Sequence, residues 1–262
     1  VKNLGMGVNI VGYAYSETGV GQQARNMIRA FAHESYPLSV EVIDDPDSDR
    51  ARKQDRMAAT FPQGMAHGIS VFHANADMTY AVRNILPTAT YEGRYNIGYW
   101  SWELSTFPTH WDEAFAIYDE IWTPSSFIQS AVAARSPLPI FRTPPSIEPA
   151  VPQGITRDHL RLPEGAFIVL FIFDAFSIFE RKNPLALVDA FESAFTADER
   201  RSDVRLVIKA NNLHTIPEQR AALKARLKDV NGILLEGYLS REETNALLKS
   251  CNVYASLHRS EG

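Results

Sequence analysis

The residues best suited to chemistry stand at the ends of apolar runs. Residues 256–262 read SLHRSEG and follow the strand-like run 252–256, so the one carboxylate, Glu261, sits in a polar loop at a strand's C-terminal end. In an open parallel α/β sheet that is where ligands bind. Arg181 and Lys182 are adjacent cations between the most apolar run of the chain, 167–173, and a helix opened by Pro184. An arginine forks two phosphate oxygens and a lysine adds a compact charge, so the pair suits a phosphate. The plainer alternative is two solvated charges. The apolar strand aims them at a cleft, which favours phosphate.

Gly19 and Gly21 let the backbone of residues 15–25 turn tightly and approach a ligand. The helix that follows presents free N–H groups and its positive end to any anion there. Residues 19–24 (GVGQQA) also fit the dinucleotide fingerprint, with Asp44 about 20 residues on. Against that, residues 13–18 separate the first strand from the first glycine, where the fingerprint has no such loop. A plain turn before a helix is the third reading.

His73 follows the run 69–72 and can touch a sugar hydroxyl or a phosphate, or be satisfied by a neighbouring carbonyl. Asp77 reads as the N-cap of the next helix. Trp100, Trp102 and Glu103 follow the run 95–99. Aromatic faces with a carboxylate suit a sugar, whose C–H faces stack while its hydroxyls need acceptors. The alternative puts one Trp in the core and makes Glu103 a loop cap. Lys209, Asn211 and Asn212 either line a cleft or close a turn, and the turn is preferred. Gly237 permits close backbone approach, Tyr238 can cover a flat ring, and Ser240 with Glu243 is a capping box. The seven histidines are scattered, without the close pairing of a metal site, and no nucleophile elbow occurs.

These residues need strands to place them. Strand candidates are 7–12, 38–43, 69–72, 95–99, 120–123 and 140–142, then 167–173, 205–209, 233–235 and 252–256. Helical patterns, clearest at 22–33, 125–134, 184–195, 217–230 and 241–250, alternate with them. That alternation predicts parallel sheets wrapped by helices. Six prolines from Pro137 to Pro152 break the pattern and predict a boundary between domains 1–150 and 151–262. Hydrophobic residues make up 45% of the 262, enough for a packed core, and the net charge of -5 argues against nucleic acid as partner. Cys251 is the only cysteine, so no internal disulfide forms, as in a reducing cytoplasm. It reads as a small buried apolar residue. The longest apolar run, 166–173, is too short to span a bilayer.

Glu261-Gly262 matches the opening of the Glu-Gly-Phe-Gly-Leu-Pro segment of the retaining glycosyltransferases of family 4, and the chain resembles that family most closely over 95–127 and 167–262. The resemblance implies a GT-B fold: two Rossmann-like domains facing a cleft, the second incomplete. It implies transfer of a sugar from a nucleotide-sugar, with GDP-mannose as a type, to a glycan or lipid-linked glycan hydroxyl with retention of configuration. Catalytic roles go to Arg181, Lys182 and Glu261. Donor binding goes to Gly19, Gly21, Ser177, Lys209, Gly237, Tyr238 and Gly262. His73, Trp102 and Glu103 go to the acceptor or sugar cleft.

The chain departs from the family twice. Many members place a His where Trp100 to Glu103 stand, and the family Arg usually lies where this chain has Phe176. A related branch carries the Arg-Lys-Asn-Pro found here, which gives Arg181 that role. No metal and no cofactor are expected. The expected site of action is the cytoplasm, at the inner face of the membrane with peripheral contact. The chain begins at Val1, and the family's second Glu would fall after Gly262, so it reads as a fragment with weak donor binding and no turnover of its own. Two rivals stay open: an NAD-dependent oxidoreductase, and a non-catalytic carbohydrate-binding module on the same fold.

Overall fold

A computed structural model describes residues 5–16, 18–43, 57–147 and 153–260, which divide into two compact units, 5–147 and 153–260. Each unit holds its own parallel sheet.

In the first unit the strands are β1 (Gly5–Gly12), β2 (Leu38–Val42), β3 (His67–His73), β4 (Tyr95–Tyr99), β5 (Glu120–Thr123) and β6 (Ile140–Arg142). Their order is β2-β1-β3-β4-β5-β6, and every pair is parallel. Helices α1 (Gly19–His33), α2 (Ala76–Ile85) and α3 (Ser126–Ala133) cover it. Along β1 the side chains alternate between two cores. Val8 and Ile10 pack with Ala24, Ile28 and Tyr99. Val11 packs with Phe72, Trp100 and Val82 on the other face. A sheet buried on both faces needs such apolar strands. Asn9 is the exception: buried within β1, it accepts from Ser39 Oγ (2.8 Å) and donates to Ile69 O (3.0 Å), tying β1 to both neighbours. A buried amide is tolerated because its partners are all present.

In the second unit the strands are β7 (Phe167–Asp174), β8 (Val204–Asn211), β9 (Ile233–Glu236) and β10 (Val253–Tyr254), in the parallel order β10-β7-β8-β9. Helices α4 (Phe179–Lys182), α5 (Pro184–Ala194), α6 (Ala197–Ser202), α7 (Pro217–Asp229) and α8 (Arg241–Ser250) follow in turn. β7 also alternates: Val169, Phe171 and Phe173 pack with Leu187, Val188 and Leu223, while Ile168 and Leu170 pack with Ala246 and Leu247.

Some local expectations shift. The N-cap of α2 is Asn75, and Asp77 lies inside the first turn, where its charge meets the positive helix end. Asn75 does not cap by its side chain, because Asn75 Oδ1 accepts from Ser101 N at 2.9 Å instead. Cys251 is half-buried rather than buried, with Sγ donating to Leu248 O at 3.0 Å. Ser125 caps α3, accepting from Ile128 N at 3.2 Å.

Candidate functional site

Both sheets have a switch point, where the chain leaves adjacent strands in opposite directions. It lies between β1 and β3 in the first unit and between β7 and β10 in the second. Ligands of open α/β sheets bind outside the strand C-termini at such points.

In the second unit the loop after β7 is built by short hydrogen bonds. Ala175 N donates to Asn211 O (3.0 Å) and Phe176 N to Asp174 Oδ1 (2.8 Å). Phe179 anchors α4 edge-on against Phe173 at 6.0 Å between ring centroids. Asn183, in the left-handed region at φ 53°, ends α4 and lets Pro184 open α5. This places Ser177 half-buried, Arg181 half-buried and Lys182 buried at the strand end.

The loop after β10 is laced to it. Arg259 N donates to Arg181 O (2.9 Å), Arg181 Nη1 to Ser260 O (3.2 Å) and Asn183 Nδ2 to Leu257 O (3.1 Å). The His258 ring stands edge-on to Phe171 at 5.3 Å. Thus the structure brings Arg181 and Asn183 against residues 257–260, with Lys182 between them in the chain and Ser177 earlier in the same loop. Glu261, Gly262 and Asp44 lie outside the described residues.

The β8–β9 rim forms a second polar cluster. Lys209 is buried, and its Nζ donates to Asn211 Oδ1 and Gly237 O. Burial pushes its ammonium down to about 8, with nearby Asp174 pulling the other way. Asn212 donates to both Asp174 oxygens (2.9 and 3.1 Å) and accepts from Tyr238 Oη (2.9 Å). The Tyr238 ring is 63% exposed although its hydroxyl is anchored, so it presents a fixed flat face. Gly237 has φ 91° and open space around the position of a Cβ. Behind it, Arg220 and Lys224 (2.8 Å) hold Glu236, and their hydrogen bonds, Arg220's first, bring its carboxyl down to about 2. Lys209 therefore closes a turn and borders the rim at once. Ser240 and Glu243 form the expected capping box.

In the first unit Thr18 caps α1 by accepting from Gly21 N at 3.2 Å. Gly19 opens the helix with nothing within 4 Å of a Cβ. Gly21 is different: a Cβ there would overlap the Ser16 carbonyl and lie 2.7 Å from that of Tyr13. Arg25, which the sequence reading passed over, explains the loop. Buried at its base, it donates to Ala14 O (3.0 Å), Ser16 O (2.7 Å) and Gln22 Oε1 (3.0 Å). Its spacing one helical turn after Gly21 was the available signal.

His73 is fully buried, and among the described residues neither ring nitrogen has a hydrogen-bond partner. Its ring lies 4.9 Å from that of Tyr99, and burial pushes it down to about 3, so it is neutral at physiological pH. Among the described residues no carbonyl satisfies it. Trp100 is in the core, while Trp102 is half-buried, with Nε1 donating to Thr106 O (2.9 Å) and its ring edge-on to Trp111 at 5.0 Å. Glu103 beside it is half-buried. Gln23 Nε2 donates to Ser101 Oγ (3.0 Å), which joins α1 to the loop carrying Trp102 and Glu103. His73 stands apart from this rim, sealed beneath it.

The pattern has solved counterparts. A UDP-forming α,α-trehalose-phosphate synthase from Burkholderia xenovorans, in complex with glucose-6-phosphate, superposes with TM-score 0.62 at 11% identity, over 96% of this chain and 79% of that one. A trehalose-6-phosphate synthase from E. coli bound with UDP-2-fluoroglucose gives 0.56 at 10%, over 96% and 78%. TarM gives 0.50 at 10%, over 74% and 37%. The fold is that of the GT-B glycosyltransferases. No protein-family profile matches the chain. No curated protein matches it either. Among the described residues no group of three His, Cys, Asp or Glu side chains could hold a metal ion, and no helix is long and apolar enough to cross a membrane.

Proposed function

We propose that this chain is a retaining glycosyltransferase of the family 4 kind, taking its sugar from a nucleotide-sugar and giving it to a glycan hydroxyl. The observation that carries this reading is the laced pair of loops at the β7–β10 switch point, which gathers Arg181 and Lys182 at one strand end. Bond breaking at the anomeric carbon leaves negative charge on the diphosphate. Fixed cations at that place stabilise the charge as it forms, without reorganisation at the moment of reaction. The acceptor hydroxyl attacks from the leaving-group face, its oxygen bonding the anomeric carbon while its proton passes to a phosphate oxygen. Glu261 orients the donor sugar by its hydroxyls, and the Tyr238 face covers the base. On this reading two cations do the work a metal does elsewhere, and the enzyme acts at the cytoplasmic face of a membrane on a glycan or lipid-linked glycan.

The dehydrogenase rival is weaker on geometry. Gly19 and Gly21 belong to the first turn of α1, and the loop 13–18 stands between them and β1. In the fingerprint the first glycine turns directly out of the strand. Saturation-transfer NMR on the chain, with UDP, GDP, GDP-mannose, UDP-glucose and NADH at millimolar concentration, tests the reading. Saturation of base protons in a uridine or guanosine series, without NADH, is expected. A response to NADH alone would sink the transferase assignment.

A further inference from the structure

The loop after β10 carries a cation of its own. Arg259 is exposed, and its guanidinium has no hydrogen-bond or ion-pair partner among the described residues. Its backbone is fixed by the bond from its N–H to Arg181 O, 2.9 Å long. Arg181 is differently employed, because its Nη1 donates to Ser260 O at 3.2 Å, on the residue next to Arg259. Asn183 adds a third tie at Leu257 O, 3.1 Å. Lys182, the third cation of the pair of loops, is buried.

We propose that Arg259 is a further guanidinium on the donor's diphosphate, adding to the Arg181 and Lys182 cations, and that Arg181 also holds the Arg259 loop against the β7 loop. An anchored backbone carrying an exposed arginine presents its planar fork at little ordering cost, and that fork matches paired phosphate oxygens. Arg181 has already committed part of its fork to a carbonyl. The ligand chemistry is a diphosphate ester. The proposal rests on the transferase reading for the nucleotide attached to it.

The test is a 31P NMR titration of the chain with UDP, GDP and inorganic pyrophosphate, for the parent and for Arg259→Ala, Arg259→Lys and Arg181→Ala. Loss of one charge-assisted contact should weaken all three ligands about tenfold or more in Arg259→Ala, with partial recovery in Arg259→Lys. The melting temperature should not move, since the side chain is exposed. Arg181→Ala should speed amide exchange across residues 256–260, Arg259 N–H included. Parent-like affinity in Arg259→Ala would overturn the proposal, as would unchanged exchange in Arg181→Ala. Pyrophosphate held through Arg259, with UDP and GDP no tighter, would support the contact and sink the nucleotide-sugar reading instead. No binding of any of the three would overturn both.

Discussion

Gly21→Ala is the sharpest test of how the first unit builds its loop. On helix propensity alone the change should stabilise, since alanine in a helix is better than glycine by about 1 kcal/mol. The structure reverses the sign. The new Cβ would overlap Ser16 O and stand 2.7 Å from Tyr13 O, and both obstacles are backbone. They cannot drift aside freely, because Arg25 holds Ser16 O at 2.7 Å and Ala14 O at 3.0 Å. Overpacking costs about 1–3 kcal/mol. Displacing Ser16 O also forfeits a hydrogen bond to a charged group, about 1.5–3 kcal/mol. Set against the propensity gain of about 1 kcal/mol, the net loss is about 1.5–5 kcal/mol. Gly19→Ala is the control, since nothing lies within 4 Å of its Cβ, and it should be neutral or slightly stabilising. All four tryptophans, Trp100, Trp102, Trp111 and Trp122, lie in the first unit, so tryptophan fluorescence in a urea titration follows that unit alone. A Gly21→Ala midpoint at or above the parent's would refute the reasoning, as would equal losses in both variants.

Further outcomes follow from the second unit. Arg220 and Lys224 hold the Glu236 carboxyl at about 2 against an ordinary 4.5, so its contribution is complete above pH 4.5 and is lost as pH falls toward 2. Circular dichroism melts across that window should show the loss, and Glu236→Gln should flatten it. Lys209 has the opposite sense: its folded-state value of about 8 lies below the free value of 10.5, so the folded chain binds fewer protons between them and stability rises across that range. Lys209→Met should lose that rise, so the parent-minus-variant difference in chemical denaturation should climb between pH 8 and 10.5; a flat difference would mean the ammonium is not buried as described. For Tyr238, stacking of a base on the exposed ring is worth about 1–3 kcal/mol, so Tyr238→Ala should weaken UDP or GDP about 5- to 150-fold. Tyr238→Phe should lose much less, because it keeps the face and drops only the bond to Asn212; equal losses would assign the effect to the hydroxyl.

What the sequence determined by itself was whatever depends on neighbours along the chain. The run 167–173 has apolar residues at both odd and even positions, which only a strand buried on two faces satisfies, and β7 packs into a core on each side. Ser240 and Glu243 announce a helix start within four residues. Thr196 and Glu199 form an equally local capping box at α6, a signal that was present and went unread because that helix is six residues long. The α/β pattern of parallel sheets was likewise readable from the alternation of runs.

What only tertiary structure decided was pairing between residues far apart in the chain. Nothing near Arg181 foretells that its guanidinium meets Ser260, 79 positions on. The same holds for the side chain of Lys209, which closes on Gly237, 28 positions on. Strand order placed those loops side by side: because β10 inserts next to β7 rather than beyond β9, residues 256–260 fall at the switch point. His73 shows the limit most plainly. Its type and position read as a polar group at a strand end, whereas packing beneath the rim against Tyr99 strips it of partners and of charge. Local sequence sets propensity and periodicity, but burial and the neighbours that set a pKa depend on which strands and loops come together, and that is a property of the assembled core.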